Sequence, residues 1–214
     1  MTEPPFNGRG FCTYSDVRRL QNMGIPNGFR RKRSLSVDEA ALLISGAINE
    51  AAVQCLLDVK RISHEESPDQ TAVMNGSACH SLSIEVLFMF YNAVDRLAFA
   101  NLEAPKRTQF MHLLSTMVVD LCINAHFRAP ADQKEDLKDA LLGDLDRANL
   151  EYGGLAMSSD TGSVMTVFDK LAQSAAAEFG LPNDRELIGL FHVSAMGHYY
   201  KLRPGIEGIL RSVR

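Results

Sequence analysis

Residues 83–102, SIEVLFMFYNAVDRLAFANL, restrict the possible folds of this chain more than any other stretch of its sequence. At helical spacing Glu85, Asn92, Arg96 and, just beyond, Glu103 form one narrow polar stripe. Apolar side chains cover most of the remaining circumference. A helix of this kind is stable in water only when other elements cover it on several sides. The stretch therefore predicts a central helix surrounded by others.

Apolar residues recur at helical spacing in five further segments: residues 36–62, 105–127, 131–150, 163–179 and 183–202. Ser36 and Glu39 form a capping box that opens the first of them, and Pro204 is expected to end the last. Strand-like alternation of useful length is lacking. We therefore predict an all-α bundle of about six helices, in which the helices at 83–102 and 105–127 are central.

Residues 1–35 show no sustained period and are interrupted by glycine and proline. They contain seven Lys or Arg residues and two acidic residues, a net charge of +5; since the whole chain carries −4, residues 36–214 carry −9. This contrast predicts a basic, partly disordered N-terminal arm at 1–35, followed by a single acidic helical domain at 36–214. Residues 63–80, which have no period, are predicted to form a mobile loop within it.

The cysteines and the apolar runs indicate the compartment. Four widely spaced cysteines, without a C-x-x-C pair, are typical of a reducing environment. The N-terminus lacks the apolar core of a signal peptide. The longest strongly apolar run, residues 86–91, is far shorter than the roughly 20 residues of a membrane span. We expect a cytoplasmic protein without a membrane span.

Catalytic and metal-binding motifs are not recognisable. The six histidines lack the Glu-x-x-His and His-x-x-x-His spacings, and the chain has no G-x-S-x-G, P-loop or G-x-G-x-x-G motif. Residues 160–163 spell D-T-G-S, as around an aspartic protease carboxylate, but that mechanism needs two such loops between strands. We predict that these residues cap the helix at 163–179. No catalytic or metal-ligating residue is assigned, and an enzyme is the least favoured class.

Asp95 is the most informative polar residue, because helical spacing places it within the apolar face of residues 83–102. A carboxylate in such a place must be protonated or paired. It is either a general base or ligand anchor, or a structural group that pairs with an Arg or Lys on a packed helix or caps the amides of another helix, and we favour the structural interpretation. If the bundle holds a small ligand or a cofactor of unknown identity, Asp95, Tyr91 and His198 are its candidate polar contacts.

The basic run Arg30, Arg31, Lys32 and Arg33 has three interpretations. It attaches to nucleic acid or anionic lipid, it directs a kinase to Ser34 or Ser36, or it docks on the chain's own acidic surface. No DNA-reading motif follows it, and only Phe29 offers an adjacent aromatic ring. We favour a linker or an intramolecular docking segment.

These observations predict a non-enzymatic interaction or regulatory protein that forms a homo-oligomer. Val119 and Ile123 lie opposite the main apolar face of residues 105–127, so they indicate a neighbouring subunit or another helix. We expect self-association through the helices at 83–102 and 105–127. The alternatives are a ligand-binding or cofactor-binding bundle and a nucleic-acid-associated protein that uses its basic arm.

Overall fold

The computed structural model of the protein describes residues 34–66, 77–127, 130–157 and 165–214. They form six α-helices: α1 (Val37–Glu66), α2 (Ser77–Asn101), α3 (Ala104–His126), α4 (Lys134–Gly153), α5 (Val167–Glu178) and α6 (Arg185–Leu210). A short 3-10 turn, Ala131–Gln133, precedes α4, and no strand is formed within these ranges. The predicted all-α bundle is confirmed. Residues 1–33, which include Arg30 to Arg33, lie outside the described residues.

The helix α2 is the centre of the bundle, as predicted. It packs against all five other helices. Every residue from 86 to 94 is buried, which is more than two complete turns. Residues 86–94 therefore offer no free face to a second subunit, whereas Phe99, nearer the end of α2, is 72% exposed.

The helix α1 buries the stripe that its sequence predicts: Ala41, Ile44, Ile48, Ala52, Cys55 and Val59. The capping box at its start is formed. The Ser36 amide donates to Glu39 Oε2 at 2.9 Å, and the Glu39 amide donates to Ser36 Oγ at 3.1 Å. The helices α1 and α2 both extend into the predicted loop at 63–80, and residues 67–76 between them lie outside the described residues.

The second apolar patch of α3 is covered by the same chain. Val119 is 0% exposed and Ile123 is 5% exposed, and α3 packs against α1, α2 and α4. Of the two predicted explanations, the covering helix is therefore correct and the neighbouring subunit is wrong. Val119 and Ile123 are therefore not available to a second subunit.

The helix α5 begins later than its sequence suggests. Thr166, not the residues at 160–163, is its N-cap: Thr166 Oγ1 accepts from the Asp169 amide, and the Asp169 carboxylate accepts from the Thr166 amide. The prediction of a cap at 160–163 is wrong in position, and those residues lie outside the described part of the chain. The Val167 amide also donates to Ala156 O, which fastens this start to the segment after α4.

The helix α6 continues through Pro204 to Leu210, so the predicted stop at that residue is wrong. An internal proline removes one helical hydrogen bond and costs about 3 kcal/mol. Beyond it, Ile206 and Leu210 are buried, and Glu207 accepts hydrogen bonds from Arg203 and Arg211. Apolar burial and these ion pairs offset the cost of the proline, and the helix is completed by tertiary packing.

Candidate functional site

The polar stripe of α2 is an internal seam against α4. Asn92 Nδ2 donates to Asn149 Oδ1 at 2.9 Å. Arg96 Nη1 donates to Leu155 O at 2.7 Å, and Arg96 Nη2 donates to Tyr152 O. Arg96 Nε also donates to Asn92 Oδ1 at 3.1 Å, which leaves the amide nitrogen of Asn92 directed at Asn149. The seam is a connected network.

Arg96 closes the end of α4. The last carbonyl groups of a helix have no partner within it, and the helix dipole places partial negative charge there. The guanidinium group donates to two carbonyls at or just beyond this end, those of Tyr152 and Leu155. Gly154 is the C-cap residue of α4, and the Leu155 amide donates to Tyr152 O at 3.0 Å. Arg96 therefore adds donors from α2 to an end that local backbone amides already cap. We conclude that Arg96 has a structural role.

Glu85 and Tyr152 join the same two helices nearer the start of α2. The Tyr152 hydroxyl donates to Glu85 Oε1 at 3.1 Å, and Tyr152 is 2% exposed. Burial raises the pKa of the Glu85 carboxyl above its usual value, although hydrogen bonds from Ser174 and Tyr152 act in the opposite direction. Burial, and then the neighbouring Glu85 charge, raise the pKa of the Tyr152 hydroxyl. The hydrogen bond between these two side chains therefore joins α2 to α4.

Asp95 is paired across the α2–α3 contact. Arg107 Nη2 donates to both carboxylate oxygens of Asp95, at 2.7 and 2.9 Å, and Arg107 Nε donates to Oδ1 at 3.1 Å. The side chain of Asp95 is 24% exposed, so it is half-buried at the edge of the bundle. The guanidinium group of Arg107 also lies 5.0 Å from the centre of the exposed Phe99 ring. The geometry is that of the ion pair expected from a packed helix.

An open cavity of about 480 Å³ lies between α2 and α4. Seven residues line it: Asn92, Asp95, Arg96, Asp146, Asn149, Leu150 and Gly153. Asn92, Asp95 and Arg96 already bond to groups of the same chain. Its mouth carries Leu150, which is 83% exposed. A ligand here would compete with the seam for these polar groups.

The other two predicted ligand contacts do not line this cavity. The Tyr91 hydroxyl is 3.5 Å from Met111 O, and burial raises its pKa. His198 Nε2 is 3.0 Å from Asp58 Oδ2, and this contact joins α6 to α1. Asp95, Tyr91 and His198 thus have three different partners: those of Asp95 and Tyr91 lie on α3, and that of His198 lies on α1. Their role in ligand binding remains a prediction.

The two buried cysteines are poorly suited to nucleophilic catalysis, and the described residues form no metal site. Cys55 and Cys122 are buried, and burial raises the pKa of these thiols to about 11 and about 12, so both are protonated at neutral pH. A thiol is a poor nucleophile and metal ligand until it loses its proton. Among the described residues, no three His, Cys, Asp or Glu side chains meet as a metal site.

The surface of α1 that points away from the core carries large apolar side chains. We call it the outer face of α1 and define it by Leu42, Gly46, Asn49, Glu50, Val53 and Leu57. Leu42 is 64% exposed, Val53 is 41% exposed and Leu57 is 51% exposed. Single exposed apolar residues are ordinary, but three in register on one helix form a stripe.

The spacing of this stripe is that of a helix–helix seam. Leu42, Gly46, Asn49, Val53 and Leu57 follow one another at steps of three or four residues, the repeat by which packed helices keep one side toward each other. Gly46 has no other group within 4 Å of the position that a Cβ atom would occupy. Packing within the chain therefore gives no reason for a glycine in the middle of this helix.

The neighbouring helix α6 adds to the exposed apolar surface. It packs against α1, and Ser194 Oγ donates to Cys55 O at 3.2 Å. On its outward side Val193 is 64% exposed and Tyr200 is 47% exposed. Two helices in contact thus both leave large apolar side chains uncovered.

The segment Val37–Arg61 is also long and apolar enough to cross a membrane by length and composition alone. Of its most apolar window, 44% is buried in the bundle, and the core helix of a soluble protein passes the same test. The outer face carries Asn49 and Glu50 at its centre. These polar groups are costly in hydrocarbon and acceptable at a protein interface.

Sequence reasoning identified the inner stripe of α1 and missed its outer face. The signal was present, because Leu42, Val53 and Leu57 lie opposite Ile44 and Ile48 at helical spacing. A surface helix normally has one apolar side, whereas α1 has two. Comparisons of the chain with protein-family models, curated proteins and solved structures found no match.

Proposed function

We propose that this chain is a non-enzymatic helical interaction protein that self-associates, and that the outer face of α1 is its contact surface. The observation that carries the proposal is the exposure of Leu42, Val53 and Leu57 on a helix whose other side is fully buried. Apolar surface of this kind, in register on a rigid element, marks a site of association.

The choice between an interaction protein and a ligand-binding bundle rests on which groups have partners. In the cavity between α2 and α4, Asn92, Asp95 and Arg96 are already hydrogen-bonded within the chain, so a ligand there would share groups that have partners. On the outer face of α1, burial of Leu42 or Leu57 breaks no bond and removes apolar surface from water. Full burial of one such side chain contributes about 1.5–3 kcal/mol.

The proposed surface differs from the one that the sequence suggests. Self-association through the helices at 83–102 and 105–127 has less support, because residues 86–94 of α2 are buried and the second patch of α3 is covered within the chain. The helix α1 lies at the edge of the bundle and keeps one apolar side uncovered. Self-association is therefore proposed through α1.

Sedimentation velocity over a wide range of protein concentration tests the proposal. The unmodified chain is expected to sediment as a dimer that dissociates on dilution. Leu57→Lys places a charge on the outer face and is expected to weaken association by roughly a hundredfold, because two copies of the side chain lose their burial.

Leu150→Lys is the matched control, because it makes the same change at an exposed leucine on α4. It is expected to leave association unchanged, and both variants are expected to keep the melting temperature of the unmodified chain. A chain that is monomeric at every concentration, or a Leu57→Lys variant that associates normally, would contradict the proposal.

A further inference from the structure

We infer that α1 pairs with α1 of a second copy in an antiparallel arrangement, about a two-fold axis that passes near the midpoint between Asn49 and Glu50. This inference rests on the self-association proposed above and specifies its geometry. In a two-fold contact, the same patch of both copies must be complementary to itself. The outer face of α1 meets this requirement through both its shape and its charge.

The apolar residues are placed symmetrically about this midpoint. Leu42 and Leu57 are equally far from it on opposite sides, and so are Gly46 and Val53. Antiparallel pairing about the midpoint therefore sets Leu42 against Leu57 of the second copy, twice. It also sets Gly46 against Val53 of the second copy, twice, so that each larger side chain meets a position without one.

The absence of a side chain at Gly46 permits the two helices to approach closely. Glycine in a helix interior costs about 1 kcal/mol relative to alanine. The space around Gly46 is open, so nothing in the single chain requires a glycine there. The interaxial distance of packed helices depends on the side chains at the contact, and small residues give the shortest distances. Val53 of the second copy fits the vacancy.

The charges at the two ends of the stripe select the antiparallel direction. Asp38 and Arg61 are equally far from the same midpoint and carry opposite charge. Antiparallel pairing brings Asp38 near Arg61 of the second copy, whereas parallel pairing brings each charge near its own kind. Within its own chain, Arg61 Nη2 is 3.9 Å from Asp58 Oδ1; the side chain of Arg61 is 69% exposed and that of Asp58 is 40% exposed. Such a contact contributes little and leaves Arg61 available.

The centre of the stripe is polar and self-complementary. Asn49 and Glu50 flank the midpoint, so antiparallel pairing places the Asn49 amide beside the Glu50 carboxylate of the second copy. The amide group donates hydrogen bonds and the carboxylate accepts them. A polar residue within an apolar seam fixes register and direction at some expense of affinity. The same pair disfavours a lipid surface as the occupant, because hydrocarbon offers Glu50 no donor.

A charge exchange tests this arrangement with the full-length chain. Asp38→Lys alone and Arg61→Glu alone are each expected to weaken association by roughly tenfold, because each creates two like-charge contacts per dimer. The variant that combines them is expected to associate like the unmodified chain. Asp38→Lys also removes an acid from the first turn of α1, so melting temperatures are measured in parallel. If the combined variant associates normally although its melting temperature stays low, the two charges interact between copies and not within one chain.

Disulfide trapping tests the direction independently. In a background that carries Cys12→Ser and Cys79→Ser, Leu42→Cys and Leu57→Cys chains are oxidised separately and as a mixture; the remaining Cys55 and Cys122 are buried. The mixture is expected to give a linked pair with one chain of each kind, and each chain alone is expected to give little product. Efficient linkage of Leu42→Cys to itself would overturn the antiparallel assignment.

The outcomes separate this inference from the proposed function. Self-association that ignores the charge exchange and the trapping pattern overturns the α1 geometry and leaves an interaction protein. A chain that stays monomeric overturns both proposals. Binding to phosphatidylcholine vesicles that Leu57→Lys abolishes, without self-association, overturns both in favour of a lipid surface.

Discussion

Arg96 on α2 and Leu57 on α1 both occupy positions where residue type and surroundings disagree. Arg96 is a cation directed into the bundle, where it donates to the carbonyl groups of Tyr152 and Leu155. Leu57 is a large apolar side chain that is 51% exposed. The disagreement at Arg96 is resolved within the chain, because its donors reach acceptors on α4. The described residues of the chain do not cover Leu57, and we propose that a second copy does.

This difference identifies which unusual residues carry information about function. Buried polar groups attract attention as candidate sites, but in the α2–α4 seam each one that we describe has a structural partner. Exposed apolar residues are common, yet those on the outer face of α1 share a helical register and a symmetric placement. A residue that the fold does not explain is better evidence of function than a residue that is merely rare in its location.

The seam is broken most directly by Arg96→Ala. The substitution removes the guanidinium donor from Leu155 O and from Tyr152 O, although Tyr152 O keeps the Leu155 amide, and it is expected to lower the free energy of unfolding by about 2 kcal/mol. Urea denaturation measures the change. Arg147→Ala removes an exposed arginine of α4 and is the control, with an expected loss below about 0.5 kcal/mol. Equal losses in the two variants would show that the seam contributes nothing particular.

A double-mutant cycle measures the interaction between Asp95 and Arg107. Asp95→Ala and Arg107→Ala are each expected to destabilise the fold by about 1 kcal/mol, because the pair is bidentate but partly exposed. The variant with both changes is expected to lose less than the sum of the two. An unchanged melting temperature in Asp95→Ala would contradict a structural role for this carboxylate.

Gly46→Ala separates the stability of the single chain from its association. The added methyl group meets no atom within 4 Å, and alanine favours a helix, so the monomer is expected to gain about 0.5–1 kcal/mol. Association is expected to weaken, because the methyl group occupies the space for Val53 of the second copy. Thermal denaturation and sedimentation are measured on the same samples. A variant that is more stable and associates more tightly would contradict close packing at Gly46.

The smallest expected effect concerns the pH dependence of the seam. Burial raises the pKa of Glu85 above the 4.5 of an exposed carboxyl. As pH rises through 4.5, the unfolded chain releases this proton before the folded chain does, so stability falls until the folded group has also ionised. Glu85→Gln keeps an acceptor for the Tyr152 hydroxyl without the charge.

The unmodified chain and the Glu85→Gln variant are therefore expected to have similar melting temperatures below pH 4.5. Above pH 4.5 the variant is expected to be the more stable of the two. Melting curves across this range measure the difference. A Glu85→Gln variant that is less stable at neutral pH would show that the carboxylate is stabilised in the folded state, contrary to its raised pKa.

Much of the fold follows from local spacing. The inner stripe of α1, the capping box at Ser36 and the central place of α2 were all predicted, because apolar periodicity and capping depend on neighbours in sequence. The helix α6 passes through Pro204 against its local preference, because Ile206 and Leu210 are buried by distant residues. Tertiary packing makes α6 continue through the proline, and no local sequence pattern predicts this.

The candidate surface was harder to predict, for a similar reason. Leu42, Val53 and Leu57 are apolar in the sequence, but which side of α1 meets the core depends on the other five helices. Likewise, Glu85, Asn92 and Arg96 were recognised as a stripe, whereas their partners Tyr152 and Asn149 come from a helix more than fifty residues away. Spacing within one helix identifies a face, but only the assembled bundle shows what covers it.

One mixing experiment tests the antiparallel contact of α1 most directly. Leu42→Lys and Leu57→Glu chains are each expected to be monomeric, because each buries a charge against leucine in its own dimer. Mixed in equal amounts, they are expected to form a dimer with one chain of each kind, in which the new ammonium group faces the new carboxylate and the other leucine pair is intact. Native mass spectrometry distinguishes the two chains. A mixture that remains monomeric, while the unmodified chain self-associates, would contradict the account.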